Sequence, residues 1–116
     1  MKVKIDEAIY AHSRWKVQLR NIIQNGQSDM PLSVIRNPHE CRFGEWLDSN
    51  KDAKNSSYYQ QVKVIHAEFH EEAAEVAKLA LCGLVEEANE KMDMGSKFSE
   101  ISAKLVNLLA EWKDSL

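Results

Sequence analysis

With 116 residues, 28 % of them charged and 44 % hydrophobic, and with few Gly and Pro, the chain has the composition of one folded domain, not of a disordered tail. Its net charge of −3 offers phosphates no basic field, and its lysines are mixed with acids, which argues against a nucleic-acid partner. No apolar run approaches the ~20 residues needed to cross a bilayer and no secretory signal opens the chain, so membrane insertion is not expected and the expected compartment is the cytoplasm.

From Val3 to Ile23 the positions Ile5, Ala8, Ile9, His12, Trp15, Lys16, Leu19 and Ile22 or Ile23 recur at three and four, which predicts a first long helix with His12 on its buried stripe. Asn25-Gly26 supplies a left-handed stop. The polar stretch through Pro31 to Pro38 reads as a long connector holding at most a short turn, and a connector of that length usually has a task. Here it delivers Cys41. Phe43, Trp46 and Leu47 are then spaced as one face of a short helix starting near the cysteine and dropping two aromatics into the core.

Ser49 to Ser57 reads as polar connector. Tyr58 to Cys82 carries Val62, Ile65, His66, Phe69, His70, Ala73, Val76, Ala77 and Ala80 on one stripe, a second long helix interrupted by Gly83. Leu84 to Met92 predicts a short helix with a solvated, charge-rich face. Gly95-Ser96 opens a last helix through Phe98, Ile101, Leu105, Leu108, Leu109 and Trp112. The expected architecture is all-α: an antiparallel four-helix bundle, plus a short extra helix that carries the cysteine, in a single domain over residues 1–116. The three tryptophans fall on apolar stripes and read as packing, with Trp15 and Trp46 expected to fix His12 and Cys41.

His66 and His70 lie about one helical turn apart, so both imidazoles leave the same face and can grip one metal ion. Alone, that pair is weak evidence, since two histidines at this spacing on a buried stripe are more often core residues donating to backbone carbonyls. His12 on the first helix and Cys41 between two connectors add two donors, and three imidazoles with one thiolate suit zinc. His39 reads as a surface or supporting residue, and Cys82 as a small buried or half-buried side chain.

Three ordered motifs carry a family resemblance: His12-Ser13-Arg14-Trp15-Lys16, Cys41-Arg42-Phe43-Gly44-Glu45-Trp46-Leu47 and His66-Ala67-Glu68-Phe69-His70. The chain resembles the chemoreceptor zinc-binding (CZB) domain over nearly its whole length, including the run Glu71 to Val76, Gly83 and the closing Ser96-to-Trp112 helix. The resemblance implies a Zn2+ site ligated by His12, Cys41, His66 and His70, with Trp15, Phe43, Trp46 and Phe69 supporting it. It also implies a homodimer and a non-enzymatic role in bacterial signalling, in chemotaxis or cyclic-di-GMP control, with the output module or partner protein outside these residues. Cys41 would be the redox-reactive group, because the ligand form of cysteine is the thiolate that oxidants such as hypochlorous acid attack. Two other readings stand beside this one. Zinc can be a purely structural staple in an interaction module; or, with Cys41 displaced, Glu68 or Glu71 can serve a metalloenzyme as general base. A di-iron bundle fails on ligand count.

Overall fold

The computed structural model describes residues 1–116 and contains helices and no strands. In chain order they are α1 (Lys2–Ser13), α2 (Trp15–Asn25), α3 (Leu32–Arg36), a 3-10 turn (Pro38–Glu40), α4 (Arg42–Ser49), α5 (Lys51–Lys54), α6 (Tyr59–Leu81), α7 (Val85–Met92) and α8 (Lys97–Asp114).

α6 is the central element, with α2, α3, α7 and α8 packed along it, and α1 lies against α8. Its stripe of Val62, Phe69, Ala73, Ala74, Val76, Ala77 and Ala80 is excluded from solvent. The alanines let neighbouring helices approach closely, while Phe69, Phe98, Leu105, Leu109 and Trp112 supply the bulk of the core. Ser96 caps α8, its hydroxyl accepting from the Ser99 amide at 3.2 Å.

Three differences from the sequence reading matter. The first long helix is broken at Arg14, where the bonding tightens and the Arg14 carbonyl accepts from both Val17 and Gln18. No Gly or Pro announces this break. The connector after Gly26 contains α3, a helix rather than a turn, because Ile35 is fully buried and docks the segment on α6. The stretch after Ser49 likewise holds α5, started by the Asn50 side chain accepting from the Ala53 amide at 3.0 Å. Gly26 ends α2 at φ 67 as expected. No helix is long and apolar enough to cross a membrane.

Candidate metal centre

His12 projects from the end of α1, Cys41 caps the start of α4, and His66 and His70 project from α6. One donor atom from each lies within 4.8 Å of the others. A tetrahedral zinc with Zn–N near 2.0–2.1 Å requires its nitrogens about 3.4 Å apart, and the His66 and His70 Nε2 atoms are already 3.1 Å apart. The widest separation in the set, 4.8 Å, has to close by about 1.4 Å to reach that spacing. All three imidazoles are at most 2 % exposed, and Cys41 is half-buried.

Backbone carbonyls decide which ring nitrogens face inward. His12 donates from Nδ1 to the Ala8 carbonyl at 2.7 Å, and His70 donates from Nδ1 to the Ile35 carbonyl at 2.9 Å. A carbonyl only accepts, so both protons sit on Nδ1 and both Nε2 atoms keep free lone pairs. Without a metal, His66 Nε2–H is left to donate to His70 Nε2. His12 Nε2 is buried and has no partner at all. An orphaned buried acceptor is costly, and here it faces two imidazoles and a thiol, so the donor set fits a soft-to-borderline divalent ion such as zinc.

The surroundings are aromatic. Phe69 stands edge-on to His12 with ring centres 5.0 Å apart, and Phe43 stands edge-on to His66 at 5.1 Å. Burial holds His12 near pKa 4 and His66 near 2, and it lowers His70 as well, so the imidazoles stay neutral and able to ligate. Burial also pushes the Cys41 thiol up, against amide donors from Gly44 and Phe43 that pull it down. The helix terminus alone therefore does not make Cys41 a thiolate. A bound cation is what would deprotonate it. Two open clefts of about 370 and 450 Å³ reach Cys41, the smaller also lined by His70, so solvent-borne reagents have access.

Gly44 explains how Cys41 is placed. A Cβ there would lie 1.8 Å from the Pro38 carbonyl oxygen, so only glycine lets the 3-10 turn close over α4. Gly44 stands inside the second motif, where residue type alone gives it no role. The Ala8 and Ile35 carbonyls are likewise invisible in the sequence, because a backbone acceptor leaves no mark on residue type.

The supporting residues divide. Phe43 and Phe69 touch the imidazoles directly, whereas Trp46 acts through Phe43, on which it stacks at 5.7 Å. Trp15 stands edge-on to His70 at 6.1 Å and to Phe69 at 6.4 Å. His39 lies outside the cluster and pairs with Asp48 at 2.7 Å on the surface. Cys82 is exposed, not buried as expected, because the chain turns away from the core at Gly83, φ 78. Glu68 is exposed and Glu71 is tied to Arg36, so neither points into the donor set.

A family profile described as the chemoreceptor zinc-binding domain matches residues 12–77, more than half of the chain and a span that contains all four donors. No curated protein and no solved structure matches the chain. Domains of that family are regulatory zinc-binding modules of signalling proteins, not catalysts. With the matched span beginning at His12 and enclosing the clustered donors, the chain belongs to the chemoreceptor zinc-binding domain family.

Proposed function

We propose that His12, Cys41, His66 and His70 hold one Zn2+ ion and that the chain is the sensory part of a bacterial signalling system, responding to zinc or to oxidants through Cys41. The observation that carries the reading is the buried, unpartnered His12 Nε2 facing the other three donors. The imidazoles hold fixed positions on long helices, whereas Cys41 is held only by a short segment between the 3-10 turn and α4. This makes Cys41 the movable ligand.

Bound zinc supplies charge that favours the Cys41 thiolate. The thiolate sulfur attacks the oxidant. With hypochlorous acid its lone pair forms an S–Cl bond as the O–Cl bond breaks and hydroxide leaves, and water then displaces chloride, with loss of a proton, to leave a sulfenic acid. That oxidised group is a poorer ligand, so the Cys41 segment is released while the three imidazoles stay in place. Such a two-position segment is what a sensor needs to bias a partner or output module. In this reading the α1–α2 arm, α6, α7 and α8 form the antiparallel bundle, α4 is the added helix carrying Cys41, and the unit acts as a cytoplasmic homodimer.

A second reading, zinc as a structural staple, draws on the near-complete burial of the three histidines and the raised Cys41 thiol. Native mass spectrometry before and after one equivalent of oxidant separates the two. One zinc per chain, lost through Cys41 on oxidation, supports the switch, and zinc retained under oxidation supports the staple. Purified protein that takes up no zinc refutes both.

A further inference from the structure

α3 is a five-residue helix with no metal ligand, yet its Ile35 carbonyl is the group that holds the His70 Nδ1 proton. Such a short helix has little stability of its own, so its register along α6 must be set by its contacts. Ile35 is fully buried and Leu32 packs against the same core, which keeps α3 on α6, but these apolar contacts are non-directional. The directional anchor is Arg36. Its Nη1 bonds Glu71 and also reaches Glu75 Oε1 at 3.3 Å, so one guanidinium grips two carboxylates one helical turn apart. Glu71 directly follows His70 on α6, and Arg36 directly follows Ile35 on α3.

We infer that Arg36 is a positioning residue of the metal centre: gripping Glu71 and Glu75, it fixes α3 along α6 so that the Ile35 carbonyl holds the His70 proton on Nδ1 and leaves Nε2 free to ligate. This rests on the zinc reading above. The chemistry is that of an outer partner orienting a ligand histidine, one step further removed. Where the carbonyl drifts away, the His70 proton redistributes between its two nitrogens, and the Nε2–H form cannot ligate through Nε2, the nitrogen that faces the other donors. The ion pair is partly exposed and adds little to overall stability, so its loss is read at the site before it is read in unfolding.

The test compares the full chain with Arg36→Ala and Arg36→Lys. Long-range 1H–15N spectra of metal-free protein report the His70 tautomer. Competition with a chromogenic chelator reports zinc affinity. The expected result for Arg36→Ala is a mixed His70 tautomer and an affinity about tenfold weaker, with Arg36→Lys recovering most of both. Unfolding midpoints serve as the control and should stay close together. The inference is overturned if Arg36→Ala keeps His70 as Nδ1–H, or if its zinc affinity stays within about twofold of the parent. A parent chain that binds no zinc refutes the zinc reading alone. The metal-free spectra then decide whether Arg36 holds His70: a mixed tautomer in Arg36→Ala supports that, and an unchanged one overturns it.

Discussion

Replacing Gly44 by alanine sets two physical effects of opposite sign against each other. Gly44 lies inside α4, at a backbone conformation any residue adopts, so helix propensity alone predicts that alanine stabilises by about 1 kcal/mol. The packing predicts the reverse. The added methyl carbon would lie 1.8 Å from the Pro38 oxygen, 2.9 Å from the Pro38 carbonyl carbon and 3.3 Å from His66 Cε1. Ordinary carbon contacts begin near 3.5 Å, so the 3-10 turn must retreat by roughly 1.5 Å, and the obstacle is backbone that no rotamer change relieves. Overpacking costs about 1–3 kcal/mol, and a 1.8 Å clash with backbone belongs to the upper part of that range, about 2–3 kcal/mol, which outweighs the propensity gain. Cys41 lies between Pro38 and Gly44, so the retreat carries its sulfur away, while metal–ligand distances tolerate only about ±0.2 Å. We expect Gly44→Ala to be destabilised by about 1–2 kcal/mol in urea unfolding and to bind zinc at least about tenfold more weakly in chelator competition. A variant more stable than the parent, with unchanged zinc affinity, would refute the reasoning.

Other consequences follow from burial and charge. The folded chain lowers the pKa of His12, His66 and His70, so below pH 6.5 the unfolded chain binds more protons and metal-free stability falls as pH drops. His12 alone, moved from 6.5 to about 4, withdraws roughly 3 kcal/mol by pH 4, and urea midpoints that stay flat between pH 7 and 5 would contradict this. Phe69→Ala empties a fully buried site beside two imidazoles and should cost about 3–5 kcal/mol in thermal or urea unfolding. Cys82→Ala changes an exposed thiol and should shift stability by less than about 0.5 kcal/mol with zinc content unchanged, whereas Cys41→Ala should weaken zinc binding severely in the same mass spectra.

The helical character of the chain, the faces of its long helices and the four donors were all legible in the residue order. A 3.6-residue period writes the buried face of α6 directly into the spacing of Val62, His66, Phe69, His70 and Ala73, and Gly26 and Ser96 mark helix ends by their chemistry. The same period placed His12 and the histidine pair on inward faces, and the three motifs joined Cys41 to them.

Tertiary structure alone decided how those donors are oriented. The break at Arg14, the folding of α3 inside an apparent connector and the exposure of Cys82 depend on what each segment packs against, which local spacing does not encode. The His12 and His70 tautomers depend on the Ala8 and Ile35 carbonyls, groups that every residue carries and no residue type advertises. Gly44 was visible as a letter, but its purpose lies in the approach of Pro38, six positions away along the chain and in direct contact across the turn. Residue type therefore determined which atoms can bind a metal, and the packing of backbone around them determined which lone pairs are free to do so.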